Sequence, residues 1–350
     1  MESARRLLQH AGARLAAAGL PNPDLDAELL LSHVTGRPRL MLRLAGATVD
    51  AAQAARFDEC LDLRARRVPL QHITGRAAFR HIELRVGPGV FIPRPETEVM
   101  VDAALDALRH RPRRASEGAT PGRPLADRGP GRDTDTRSGP LIVDLCTGSG
   151  ALALSLAVEA PGSRVVAVEL SEPALGWAQG NIADHEGRLT AARSSVELVL
   201  ADATRVADPG GALVRLRGQV DLVITNPPYI PVGAVPRDPE VRDHDPDMAL
   251  YGGADGLDVV RPLARQAALL LNQGGLLLVE HADAQGEEAG VAGVPWLLRD
   301  MHDDDGGPTW CDVADHVDLA GRPRFTSARR AVRAAAGPIR TGSPDEGAVR

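Results

Sequence analysis

A chain of 350 residues, 43% hydrophobic and 25% charged, is long enough for two domains and apolar enough to fill their cores. Its formal charge is −7 and every cation is arginine, so Schiff-base chemistry and a P-loop lysine are excluded. No stretch approaches the roughly 20 apolar residues of a membrane span, and Met1-Glu2-Ser3-Ala4-Arg5-Arg6 lacks an apolar signal core.

The three cysteines, Cys60, Cys146 and Cys311, lie far apart without metal spacing, as free thiols in a reducing compartment do. The ten histidines form no ligand pattern either, and His302 beside Asp303-Asp304-Asp305 reads as an acidic solvated loop. The expectation is a cytoplasmic protein without a structural metal.

Residues 1–75 read as a small helical domain. Leu8, Ala11 and Leu15 share one helix face, Asn22-Pro23-Asp24 starts a helix carrying Leu29, Leu30 and Val34, and Gly36 ends it. A short segment at 40–42 and a helix over 51–67 complete it. Over 1–80 there are 12 arginines against 8 acidic residues. The arginines Arg37, Arg39, Arg43, Arg64, Arg66 and Arg67 therefore suit the grip of an acidic partner.

Residues 76–110 read as a β-hairpin and a connecting helix. Phe79, Ile82, Leu84 and Val86 supply the apolar face, Gly87-Pro88-Gly89 the expected turn, and Glu96 and Glu98 favour the dipole of the helix that follows Pro95. The stretch 111–140 is arginine, proline and glycine with almost no apolar content, so a disordered insert is expected.

From 141 to 330 the pattern is that of an α/β domain, and a disordered tail is expected over 331–350. The apolar strand 141–145 runs into Cys146-Thr147-Gly148-Ser149-Gly150, and a helix is expected over 151–159. Strand, glycine turn and helix make the first unit of a nucleotide-binding sheet, where glycines let the backbone approach a ligand. A second strand, 164–168, ends in Glu169, placed to accept from ribose hydroxyls. A third, 196–200, ends at Asp202, and a fourth, 220–224, delivers Asn226. Candidate ligand groups thus sit at the carboxyl ends of successive strands. Later strands are expected at 276–280, 311–317 and 324–328.

The most specific chemistry lies in Asn226-Pro227-Pro228-Tyr229. A conjugated NH2 group is a poor nucleophile because its lone pair is delocalised. A site that methylates one must accept both N–H bonds and leave the lone pair free. Asn226 can supply one acceptor through its side-chain oxygen and Pro227 another through its carbonyl, while Tyr229 can stack on the flat substrate group. Such fixed acceptors favour the transition state over the ground state.

Taken together, Pro69-Leu70-Gln71-His72-Ile73-Thr74-Gly75, Phe91-Ile92-Pro93-Arg94-Pro95-Glu96-Thr97-Glu98, residues 144–150, the Asn226 tetrad, Leu250-Tyr251-Gly252-Gly253-Ala254-Asp255-Gly256-Leu257 and Asp318-Leu319-Ala320-Gly321-Arg322 make the chain resemble a release factor glutamine methyltransferase, the family called PrmC or HemK. The resemblance implies a Rossmann-like, seven-stranded class I methyltransferase domain preceded by a small helical domain for substrate recognition and a β-hairpin. It implies S-adenosylmethionine as methyl donor, leaving S-adenosylhomocysteine, and, as substrate, the glutamine of the Gly-Gly-Gln motif in class-1 peptide chain release factors; a monomer without direct nucleic acid is expected. The cofactor residues it implies are Phe91, Asp144, Cys146, Thr147, Gly148, Ser149, Gly150, Glu169, Asp202, Ala203 and Asn226; the amide is held by Asn226, Pro227, Pro228 and Tyr229. Cys146 departs from the family's usual first glycine. It reads as a small packing residue, one that a demand for positive φ would strain.

Two other readings share these motifs. An adenine-N6 methyltransferase acting on DNA or RNA could grip an exocyclic amine with the same tetrad, but about −14 of charge outside residues 1–80 and the insert would repel phosphate. A module that binds the cofactor without turnover has only Cys146 in its favour.

Overall fold

The computed structural model describes residues 1–110 and 139–332. The insert expected over 111–140 and the tail over 331–350 fall, except for residues 139, 140, 331 and 332, outside the described residues. The chain opens with five helices, α1 (Ala4–Ala17), α2 (Pro23–Thr35), α3 (Arg39–Arg43), α4 (Ala51–Ala65) and α5 (Leu70–Thr74). A two-residue ladder between β1 (Glu2–Ser3) and β2 (Thr48–Val49) fastens the N-terminus to them. Pro23 opens α2 because its missing N–H would have no partner there. Asp50 and Gln53 cap α4 reciprocally through each other's backbone N–H groups. Leu15, Leu30, Leu31, Leu42 and Phe57 fill the core between the helices. The helix expected to reach residue 67 stops at Ala65, where Arg67 turns the chain with a φ of 68°.

The hairpin turn is not where the glycines suggest. β3 (Arg76–Phe79) pairs with β4 (Ile82–Arg85) around Arg80-His81, and Gly87-Pro88-Gly89 follows the pair instead. Alternation explains this: Ala77 and Phe79, then Ile82, Leu84 and Val86, are all buried. The step from 79 to 82 is three, so a two-residue turn must lie between them. Gly87 serves packing, since a Cβ there would fall 2.6 Å from the Trp177 ring. After a 3-10 turn over Pro95–Thr97, α6 (Glu98–His110) leads on.

The second unit is a seven-stranded sheet flanked by α7 (Ala151–Glu159), α8 (Glu172–Asp184), α9 (Glu186–Ala192), α10 (Pro239–His244), α11 (Asp247–Leu250), α12 (Val260–Leu270) and α13 (Val294–Arg299). Its strands are β5 (Leu141–Leu145), β6 (Arg164–Glu169), β7 (Ser195–Leu200), β8 (Val220–Thr225), β9 (Leu271–Glu280), β10 (Trp310–Val317) and β11 (Pro323–Arg330), in the order β10-β11-β9-β8-β5-β6-β7. The five strands from β9 to β7 are parallel; β11 and β10 run antiparallel at one edge. Both faces of the inner strands β5, β6 and β8 are covered, which is why they read as near-continuous apolar runs, whereas the edge strand β7 alternates exposed Ser195 and Glu197 with apolar residues. Val143, Leu145, Val223, Leu277 and Val279 pack toward α12 and α13. Ile142, Leu222, Ile224 and Leu278 pack on the other side toward α6, α7 and the hairpin. β9 starts five residues earlier than expected, at Leu271, because a register break opposite Val220 and Leu222 absorbs its glycine pair.

The chain runs outward from β5 to β7 and then returns to place β8 on the other side of β5. That reversal makes β5 and β8 the switch point, where open α/β sheets bind ligands at the strands' carboxyl ends.

Candidate active site

Leu145 lies opposite Thr225, so the residues after β5 and after β8 emerge side by side. Thr225 Oγ1 donates to Leu145 O at 2.7 Å and locks the two ends together. Past Leu145 the chain turns through Cys146 at φ 63°, Gly148 at φ 57° and Gly150 at φ 85°. The expected strain at Cys146 is therefore present. Gly148 has nothing within 4 Å of where a Cβ would point, so its backbone lies open to a ligand.

Two carboxylates hold this turn. Asp144, wholly buried, accepts from Thr147 Oγ1 at 2.6 Å and from the Ala153 N–H at 3.1 Å through one oxygen, and its other oxygen has no partner among the described residues. Burial pushes its pKa up to about 7, against the hydrogen bonds that favour the charge. Glu169 accepts the Gly148 N–H at 2.8 Å on one oxygen and the Leu170 and Ser171 N–H groups at 2.9 Å on the other. The oxygen that takes the Gly148 N–H keeps capacity for a hydroxyl donor. Asp202 accepts from the Thr204 N–H and hydroxyl. Burial raises the pKa of the half-buried Cys146 thiol, so it stays protonated.

The tetrad is held from three sides. Asn226 Nδ2 donates to Thr97 Oγ1 at 3.4 Å, which leaves Oδ1 available as an acceptor. Tyr229 donates its hydroxyl to Glu280 Oε1 at 3.3 Å. The carbonyl of Tyr229 accepts from Gln285 Nε2 at 3.1 Å, and Ile230 bridges to Tyr251. Burial raises the Tyr229 pKa, and the Glu280 carboxylate raises it further.

These elements surround a cavity of about 460 Å³. The structure brings Phe91, Cys146, Thr147, Gly148, Ser149 and Glu169 to its lining together with Asp202, Ala203, Asn226, Pro228 and Tyr229. Asp144, Gly150 and Pro227 are buried behind that lining. The Arg94 guanidinium lies 4.9 Å over the Phe91 ring and bonds the buried Asp245 at 2.5 Å, tying the 91–97 loop to the opposite wall.

Sequence reasoning missed that wall, in which Val241, Pro246, Met248, Ala249 and Leu250 line the cavity, and it missed the hydrogen bonds that Thr97 and Glu280 make to the tetrad. Leu250 to Leu257 was visible only as a family marker. The structure gives the reason for its glycines: a Cβ at Gly252 would sit 2.4 Å from Pro228 O, and one at Gly256 would sit 2.2 Å from Tyr229 O.

The arginine patch of the helical unit needs correction. Arg64 is buried and bonds both Asp26 and Glu240, and Arg67 bonds Glu240, so these two hold the molecule together and are not free for a partner. Arg39 and Arg43 stay exposed but pair with Glu28.

The family model described as the PrmC N-terminal domain matches residues 6–75, and that of the methyltransferase small domain matches residues 134–235. A release factor glutamine methyltransferase from Streptomyces coelicolor is 47% identical over 320 residues, 91% of this chain and 95% of its own. One from Mycolicibacterium smegmatis is 42% identical over 333 residues, covering 95% and 100% of the two chains. One from Bifidobacterium longum is 40% identical, covering 85% and 97%.

Proposed function

The chain belongs to the release factor glutamine methyltransferase family, and from that premise we propose that it transfers the methyl group of S-adenosylmethionine to the side-chain amide nitrogen, N5, of the glutamine in the Gly-Gly-Gln motif of class-1 peptide chain release factors. The observation that carries the reading is the meeting of an open glycine turn and Asn226 in one cavity at the switch point.

The residues present suit the donor. Gly148 leaves room for close backbone approach, Oε2 of Glu169 can take a ribose hydroxyl, and Asp202 with Ala203 bounds the end assigned to adenine. Phe91 and Ser149 complete the lining. When bound, S-adenosylmethionine supplies an electrophilic methyl group on a sulfonium.

For the amide, Asn226 Oδ1 accepts one N–H. The second acceptor is assigned to the carbonyl of Pro227, because the Pro228 carbonyl faces Gly252 and the Tyr229 carbonyl accepts from Gln285. With both N–H bonds held, the nitrogen would present its remaining face to a methyl group; as the new N–C bond forms, the methyl–sulfur bond would break with its electron pair left on S-adenosylhomocysteine, and the nitrogen would shed one proton to water. No strong base is required, and proximity and orientation supply most of the rate.

The helical unit over 1–75 is assigned to gripping the release factor, with Arg37 and Arg66 exposed for it. A monomer acting in the cytoplasm belongs to the same reading.

Methyl transfer from labelled S-adenosylmethionine to purified, unmethylated release factor tests the reading, with its Gln-to-Ala variant and duplex DNA alongside and products mapped by peptide mass spectrometry. One methyl on the Gly-Gly-Gln glutamine, absent from the variant, is the expected result. Label on adenine, or cofactor binding without any transfer, would overturn it.

A further inference from the structure

Behind the tetrad lies a carboxylate that the proposed chemistry does not use. Glu280 ends β9, one residue past the Val279 that pairs with Thr225, so it stands beside the strand end that delivers Asn226. It is 1% exposed and does not line the cavity. One of its oxygens accepts the Tyr229 hydroxyl at 3.3 Å, and the other has no hydrogen-bond partner among the described residues. Thr97, also buried, accepts from Asn226 Nδ2 and has a hydroxyl proton that favours the charged form of Glu280. A buried carboxylate this poorly paired costs free energy that an apolar residue would avoid.

We propose that Glu280 is a positioning residue for methyl transfer: it fixes Tyr229 directly and Asn226 through Thr97, and so sets the register of the two side chains that flank the amide. The proposal rests on the glutamine-methylation reading. Without the carboxylate, the Tyr229 ring loses its anchor, and Thr97 loses the charge that orients its hydroxyl away from Asn226 Nδ2. The groups facing Glu280 are Tyr229 and Thr97 from the cavity side, Glu96 from the 3-10 turn, and Arg324 of β11, itself paired with Asp318. The adjacent His281 pairs with Asp315 instead.

Burial raises the Glu280 pKa to about 7, opposed by Thr97, Arg324 and Tyr229. Once protonated, the carboxyl keeps an acceptor oxygen but loses the charge that strengthens its hold on the hydroxyls of Tyr229 and Thr97. The test compares wild type with Glu280→Gln, Tyr229→Phe and the double variant. It follows kcat and KM on release factor between pH 5.5 and 8.5, with S-adenosylmethionine affinity and melting measured on the same samples. Wild-type transfer to the glutamine establishes the underlying reading; its absence overturns that reading and the proposal with it. With transfer present, the expected result is a kcat about ten-fold lower for Glu280→Gln with unchanged cofactor affinity, as a misplaced acceptor predicts. Wild-type kcat falls as pH drops through the Glu280 range, and Glu280→Gln removes that fall. The double variant loses less than the sum of the singles. Wild-type kcat in Glu280→Gln, an unaltered pH profile, or strict additivity would each refute the positioning role, as would a rate loss matched by loss of cofactor affinity or of folding.

Discussion

Cys146 carries a left-handed backbone where glycine would be unstrained. Its φ of 63° costs an L-residue roughly 1 kcal/mol. The neighbouring bonds over-determine it: the Thr147 N–H reaches Val168 O at 3.0 Å and the Thr147 hydroxyl holds Asp144. A cysteine is small enough to tolerate the site, whereas a β-branched residue is not. Cys146→Val should lose roughly 2 kcal/mol and weaken cofactor binding, while Cys146→Gly should stay within about 1 kcal/mol of wild type, strain relief offsetting the entropy of glycine. Urea unfolding and cofactor titration decide this, and a Val variant as stable as wild type would remove strain from the account.

The buried carboxyls make a second prediction at this scale. Asp144 and Glu280 are both raised to about 7, above the ordinary carboxyl range. Below the unfolded pKa both states are protonated and stability is full. As pH rises toward 7 the unfolded chain releases these protons first, so stability falls. Glu280→Gln cannot titrate, so relative to wild type it should gain stability from pH 4.5 to 7, by roughly 3 kcal/mol at most. Parallel stability curves for the two proteins would contradict the raised pKa. The same group that favours catalysis when ionised thus weakens the fold, as functional sites often do.

At the scale of elements, what could be read from sequence was what a single segment encodes. The glycine turn after β5 and the two prolines of the tetrad are local backbone features, and the inner strands of the parallel sheet announce themselves as apolar runs because both faces are covered. Thr97 and Glu280 are different. They meet the tetrad across 129 and 51 residues of chain, and no local pattern encodes that approach. The hairpin turn was misplaced because Gly87-Pro88-Gly89 looks like a turn, although the alternation from Phe79 to Ile82 already excluded it. The glycines at 252 and 256 follow the same logic: their purpose appears only once the 250–257 segment is seen against the tetrad's carbonyls. Gly252 is not in the positive-φ region, so Gly252→Ala acts by contact alone, pushing on Pro228 O. It should lower kcat on release factor at least ten-fold, since displacements near 1 Å cost that much or more, while cofactor affinity changes little. A Gly252→Ala enzyme with normal kcat would mean the tetrad does not need this buttress.

Across the whole molecule, one ion network joins the helical unit to the cavity wall. Arg64 of α4 is 7% exposed and donates to Asp26 at 2.7 Å, to Val68 O at 3.0 Å and to Glu240 at 2.9 Å. Glu240 lies on α10, and Val241 beside it lines the cavity. The helical unit therefore fixes part of the site's wall as well as presenting its own surface to a substrate. A buried pair adds little net stability, but removing the Glu240 charge leaves Arg64 with Asp26 alone and takes the carboxylate from Arg67. Glu240→Gln should accordingly cost roughly 3 kcal/mol and raise the dissociation constant for S-adenosylmethionine, because the wall at 241–251 loses its anchor. The exposed pair Arg242 and Asp243, on the same helix, is the control: Arg242→Ala should leave both melting and binding unchanged, solvent screening having left that pair little to contribute. If Glu240→Gln melts with wild type and binds the cofactor equally well, the two units are merely adjacent. If stability falls while binding holds, the network fastens the helical unit without shaping the cavity. Loss of both, with the control intact, is what a wall held from the neighbouring unit requires.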